Sequence, residues 1–330
     1  MRKIDLPSTV EGKGQKNKQS HKGKSFGYQI LGFGSGGAGS PFIVASGGTP
    51  CTGAISGDYK SHKFTGPGTF TVCSVGTCAG SNTVEYLVVA GGASGGPAGG
   101  YNGGTAGGGG AGGFRTNVPS PATGGEAVTA TGYPITVGAG GAAKTGRGSG
   151  GGPGASGNNG NDSSYAGAST ITSTAGGFGI AQGGAGGPGG SGGGGYSSGG
   201  CGNTPPTSPS QGNDGGSGTA NRSGGGGGHG GVGVDGTPPI SGAGGPGTAN
   251  AITGSCVTYA GGGGGGSSNS SGPGPGGPGG GGAGGAFQST GTAGTVNTGG
   301  GGGASGSYDH ACNTSGAGGS GIVIIRYKFQ

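Results

Sequence analysis

Histidine, cysteine, serine and carboxylate side chains are where chemistry would reside in this chain, and the titratable ones are sparse. The histidines are His21, His62, His229 and His310. A hydrolytic triad needs a nucleophile, a base and an orienting acid brought together. Asp309 adjoins His310, but neighbours on a strand face opposite sides, so it cannot orient that ring. The body acids Asp58, Glu85, Glu126, Asp162, Asp214, Asp235 and Asp309 are too scattered for a carboxylate pair of the glycosidase kind. The six cysteines are Cys51, Cys73, Cys78, Cys201, Cys256 and Cys312, and six allow 15 pairings. Cys73 and Cys78 lack zinc-knuckle spacing. Small buried thiols and disulfides both stay open.

Glycine-rich phosphate loops are the other chemistry that a chain with 108 glycines invites. At one glycine in three, GxGxxG arises by chance about a dozen times, so single hits carry no weight. GAGGAAKT (138–145) approaches a P-loop, but Ala143 stands where its second glycine belongs. No helix-forming sequence follows it, so the anion-binding helix N-terminus is missing. The expectation is a non-enzymatic protein with no catalytic residues, no cofactor and no metal site.

The elements able to position any site are unusual. Of 330 residues, 27% are hydrophobic and 7% charged, with 19 prolines and no tryptophan. Ordinary domains are about 45–50% apolar, glycine included, so one large side-chain core is excluded. Collagen needs glycine at every third position, and runs such as 107–110 and 261–266 break that frame. Disordered chains are usually rich in charge, and this one is not.

Four stretches differ in kind. Residues 1–40 form a basic arm and attachment segment: Arg2, Lys3, Lys13, Lys16, Lys18, Lys22 and Lys24 outweigh Asp5 and Glu11, and Phe26 and Tyr28 follow. These are the candidate particle-attachment residues. No aromatic residue falls in the first 24, so base stacking has no candidates and nucleic acid is not the expected partner. Residues 41–90 read as a β framework, with DYKSHKF (58–64), TFTVCSV (69–75) and NTVEYLVVA (82–90) as strands. Residues 91–320 are the glycine tract, broken by strand-like YPITVGAGG (133–141) and STITSTAGGFGIAQGG (169–184). Residues 321–330 supply a closing strand, GIVIIRYKF. MRKIDLPSTVEGK lacks the apolar stretch of a secretory leader, and no apolar run is long enough for a membrane helix.

The glycine tract is either flexible linker or extended three-residue-per-turn helices packed side by side. Such helices make no internal hydrogen bonds, so their amides must bond neighbours or water. Glycine on all sides lets neighbours approach closely enough to do so. Proline fits the same backbone.

NTVEYLVVAGG (82–92), GGGGAGGFR (107–115), YPITVGAGG (133–141) and GGSGIVIIRY (318–327) resemble the glycine-rich domain of phage virion proteins, including tail-fibre adhesins and marine phage structural proteins. The resemblance covers residues 58–327 and leaves the basic arm outside it. It implies a small β framework carrying packed polyglycine II helices, mostly β with almost no α-helix. It also implies loops at one end that contact the host surface in adhesin members. Tyr101 and Tyr196, each set among glycine and serine, are the receptor-binding candidates, because tyrosine gives large contact area at low entropic cost. Phe114 and Phe178 read as internal. The expected partners are other virion proteins, a host receptor of glycan or protein nature, and further copies of the chain, with a trimer favoured. The expected location is the virion, assembled in the host cytoplasm and extracellular after lysis. Capsid or tail-tube decoration through the arm, and an extracellular fibre or matrix protein, are the alternatives.

Overall fold

A computed structural model describes residues 40–77, 82–98, 104–118, 125–146, 155–219, 222–268, 272–306 and 313–330. Contacts divide the chain into two units, Met1–Ser40 and Pro41–Gln330. The described part of the second unit is mostly β-sheet, with no helix among the described residues.

Thirteen strands follow in order. They are β1 (Val44–Ser46), β2 (Thr49–Ser56), β3 (Tyr59–Phe64), β4 (Gly68–Ser74), β5 (Thr83–Val89), β6 (Phe114–Thr116) and β7 (Glu126–Ala127). Then come β8 (Gly132–Thr136), β9 (Ser163–Ala166), β10 (Thr170–Ser173), β11 (Thr248–Asn250), β12 (Val257–Tyr259) and β13 (Ile322–Lys328). A five-stranded sheet runs β1-β4-β8-β9-β10, and a six-stranded sheet runs β2-β3-β13-β5-β6, with β7 also on β5. β11 and β12 pair by themselves. The framework therefore draws on the glycine tract for β6 to β12, beyond the expected 41–90 and 321–330.

Period-two alternation explains the packing. On β13, Val323, Ile325 and Tyr327 enter one buried cluster with Phe70, Val72, Tyr133, Ile135 and Tyr165 of the five-stranded sheet. Its alternate residues, Ile322 and Ile324, enter a second cluster with Leu87, Val89, Ala111, Phe114, Ile252 and Tyr259. The centre of the six-stranded sheet, at β13 and β5, is thus covered on both faces, and GIVIIRYKF is apolar on both for that reason. Arg326 leaves this pattern by pairing with Glu85 at 2.5 Å.

Between the strands, glycine segments leave the sheets and return. Residues 90–98 leave from β5 and 104–113 return to β6; 138–146 leave from β8 and 155–162 return to β9. The chain from β10 to β11, and again from β12 to β13, makes several such passes. Their backbone groups bond one another with a period of three. Gly107, Gly110 and Gly113 donate to Ile180, Gly177 and Thr174; Gly108 and Ala111 to Gly224 and Gly227; Gly109 and Gly112 to Gly302 and Gly299, all at 2.8–3.2 Å. The carbonyls of Gly107, Gly110 and Gly113 accept from Gly96, Ala93 and Ala90. Those of Gly108 and Ala111 accept from Gly194 and Ser191, and those of Ala106 and Gly109 from Gly266 and Gly263. One segment is therefore bonded to six others, and the segments at 224–228, 261–266 and 299–304 are surrounded in the same way.

The second unit has two dissimilar ends. β1 enters with Val44 opposite Ser74, at the end of β4 away from the glycine segments. β13 finishes at that same end, with Lys328 opposite Tyr59. At the other end the chain reverses between Ala98 and Gly104, Gly146 and Ala155, Ala181 and Ala185, and Gly195 and Gly199. It reverses there again between Thr219 and Arg222, Gly236 and Ser241, Ser268 and Gly272, Ala286 and Ser289, and Gly306 and Asn313.

Candidate functional site

The two described histidines are held within the fold. His229 stacks on Phe114 at 4.4 Å. Its Nδ1 lies 2.6 Å from the Thr248 hydroxyl and its Nε2 3.3 Å from the Ser210 carbonyl. The carbonyl only accepts, so Nε2 carries the hydrogen and Nδ1 accepts from Thr248. Burial lowers its pKa below the ordinary 6.5, against the opposing bond to Ser210. His62 is fully buried, between Phe70 and Tyr327. The Tyr165 phenol is fully buried with no hydrogen-bond partner for its oxygen, and burial raises its pKa. His21, His310 and Asp309 lie outside the described residues.

The scattered acids mostly accept backbone amides where no further segment lies alongside. Asp162 accepts from Ala175 N–H at 2.7 Å and Asn159 from Phe178 N–H at 2.9 Å. Asp214 accepts from Gly202 and Asp235 from Ser217, both at 2.7 Å. Glu126 accepts from Ser169 N–H at 3.3 Å. Among the described residues, no three His, Cys, Asp or Glu are grouped so that they could hold a metal ion. GAGGAAKT forms no phosphate cradle: Gly138 N–H is bonded to Ser163 Oγ, Gly141 N–H to the Gly92 carbonyl and Lys144 N–H to Ser315 Oγ.

Of the two readings left open for the cysteines, buried thiols do not hold for the four described. Cys51, Cys73, Cys201 and Cys256 are exposed free thiols, not buried ones. Cys73 takes an outward position on β4 next to buried Val72, and Cys51 lies on β2, which is exposed along nearly its whole length. Cys78 and Cys312 lie outside the described residues.

A small open cleft of about 270 Å³ lies beside the β3–β4 turn, lined by Gly48, Thr49, Lys63 and residues 64–69. It brings together one ammonium, three threonine hydroxyls, the Phe64 ring and backbone groups, with no carboxylate or imidazole among them to activate a hydroxyl.

The far-end reversals make the other concentration of polar and aromatic side chains. Tyr196 sits at one of them, half-buried, with Ser197 and Ser198 exposed. Tyr196 and Ser197 both donate their amides to the Gly184 carbonyl, and Ser197 Oγ adds a third bond at 3.0 Å. Thr219 and Arg222 exchange two backbone bonds at 2.8 and 2.9 Å, closing another reversal. Ile240, exposed at 49%, and Gln288, held at a φ of 60°, mark two more. Isolated bridges Ala106↔Ala181, Ala185↔Ser198 and Ile240↔Gly272 knit this end together. Tyr101 lies outside the described residues, between Ala98 and Gly104. Of the aromatics read as internal, Phe114 is buried and Phe178 half-buried.

The arm candidates Arg2, Lys3, Lys13, Lys16, Lys18, Lys22, Lys24, Phe26 and Tyr28 lie outside the described residues. Among the described residues, no helix is long and apolar enough to cross a membrane. A search of curated proteins returns no match. Residues 65–328 match the family model of the glycine-rich domain, and on that span the chain belongs to the glycine-rich domain family.

Proposed function

We propose that this is a non-enzymatic virion surface protein whose glycine segments are polyglycine II helices packed into a rigid bundle. Its far end, in this reading, binds the host cell surface, as in a tail-fibre or tail-tip adhesin. The bundle is supported by the three-residue period of the backbone bonds, which is the repeat of a three-per-turn extended helix. Binding at the far end is supported by polarity: β1 enters and β13 finishes at one end, while the reversals with Tyr196, Ser197 and Ser198 gather at the other. Loops held on a rigid scaffold are where recognition usually resides. The basic arm, joined to the chain just before β1, would dock on the particle.

The excess of cations in that arm favours a second reading, a decoration protein bound through the arm to a capsid or tail-tube lattice. Quantitative peptide counting of purified particles separates the two: a handful of copies fits an adhesin and hundreds fit a decoration. Replacing Tyr196–Ser198 together with 99–103 and 307–312 by glycine–serine loops should abolish binding to host cells with thermal stability unchanged. Full binding by that variant would end the adhesin reading.

A further inference from the structure

Beneath the turn from β1 to β2, buried polar groups form a relay that begins and ends on the same short stretch of chain. The Ala45 backbone amide lies near the Tyr327 hydroxyl oxygen and opposes the rise in its pKa that burial causes. That oxygen lies 3.2 Å from His62 Nε2, and His62 Nδ1 lies 2.7 Å from the Gly47 carbonyl oxygen. Because that carbonyl only accepts, Nδ1 carries a hydrogen; neutral imidazole then offers Nε2 as acceptor to the Tyr327 hydroxyl. Gly47, directly after β1, is thereby tied to β3 and β13 through two side chains.

The surroundings allow only the neutral form. The His62 ring is 5.3 Å from Phe70, edge to face, and stacked 5.6 Å from Tyr327. Gly53, at a φ of 78°, approaches so closely that a methyl group there would stand 2.7 Å from Nε2. The strands packed around the ring bring Tyr59, Lys60 and Lys63 (β3), Arg326, Tyr327 and Lys328 (β13), Cys73 (β4) and Cys51 (β2); β1 brings none. None of these is a carboxylate. The nearby Glu85 is taken by Arg326.

We infer that His62 is an acid-sensitive latch that holds the entry strand β1 to the framework. A second proton would place a hydrogen on Nε2 facing the Tyr327 oxygen. The phenol hydrogen would then have to turn into an apolar cluster of Phe70, Val72 and Ile43, beside an unpaired buried cation. Burial, chiefly, holds the His62 pKa below 6.5; the Gly47 bond opposes this and Lys60 adds to it. Opening β1 restores the ordinary pKa. The latch is therefore at full strength above pH 6.5 and weakens as pH falls from there toward the folded-state value. The proposal is independent of what the far end binds.

Hydrogen exchange on the full chain tests it. With intrinsic rates corrected, protection of the Ala45 and Ser46 amides should fall between pH 7.5 and 5.5, by up to about tenfold, while Val88 in β5 stays constant. His62→Gln, which can still donate to Gly47 and accept from Tyr327, should lose that pH dependence. Tyr327→Phe removes the hydroxyl that His62 Nε2 meets and should lower Ala45 protection already at pH 7.5. Equal Ala45 protection at both pH values in the unaltered protein would overturn the latch. So would an undiminished pH response in His62→Gln, or normal Ala45 protection in Tyr327→Phe.

Discussion

A methyl group on Gly109 would overlap the carbonyl oxygen of Ala93 and stand 2.7 Å from that of Ser94. Neither oxygen can retreat, because Ala93 O accepts from Gly302 and Ser94 O from Gly179. Gly109→Ala should therefore cost at least about 1–3 kcal/mol, the usual penalty of overpacking, read as a lower denaturant midpoint. Ala283→Gly, on a peripheral segment, should cost no more than about 0.5–1 kcal/mol through chain entropy. Gly187 is a gentler probe, since its added carbon would meet ring atoms of half-buried Phe178, which can swing. Composition announces that glycine is needed. It does not say which carbonyl each glycine makes room for, because that depends on partners far away in the chain, such as Ala93 for Gly109.

At the level of elements, the strands with apolar alternation were legible: β3, β4, β5, β8 and β13 fall where YKSHKF, TFTVCS, TVEYLVV, YPIT and IVIIRYK predict them. β2 was not, because TPCTGAIS contains Pro50 and Gly53 and is exposed along nearly its whole length. It pairs only on its β3 side, with an irregular register between Thr49 and Ala54. β9, β11 and β12 are three or four residues long and mostly polar, too short to show a period. Another signal was present and unread: AGGA (283–286), AGGP (243–246), TGTA (290–293) and VGVD (232–235). The residues at the two ends of each quartet donate no backbone N–H to another described backbone carbonyl, Pro246 having none to give, so side chains three apart mark the outer faces. Asn159 and Asp162 use the same spacing to accept the amides of Phe178 and Ala175. Replacing both by alanine should cost about 0.5–1.5 kcal/mol for each lost bond, with the denaturant slope unchanged. Asp162→Asn should retain most of its share, and equal losses for Asn and Ala would refute an accepting role.

Across the whole molecule, the buried interior is largely backbone. Side-chain clusters sit between and beside the sheets, whereas the glycine segments bury amides and carbonyls against one another. Exposing polar surface lowers the heat capacity of unfolding and exposing apolar surface raises it. Calorimetry should therefore give residues 41–330 a heat-capacity change per residue clearly below the ordinary ~12–15 cal/mol/K. An ordinary value would mean that apolar burial dominates after all. The candidate site was legible only in part: Tyr196 could be singled out by its setting. That its loop shares an end with the other reversals follows from the direction of each pass, which no local pattern encodes.

Backbone pairing of this kind does not read side chains, and that frees the reversals from the body that carries them. The two bonds between Thr219 and Arg222, or the three to the Gly184 carbonyl, close each turn locally. A change of length or lettering between them leaves the glycine segments on either side with the same partners. Each turn can then be exchanged on its own, so variants combine freely, and a lineage under pressure to recognise new surfaces could sample a large repertoire without rebuilding its scaffold.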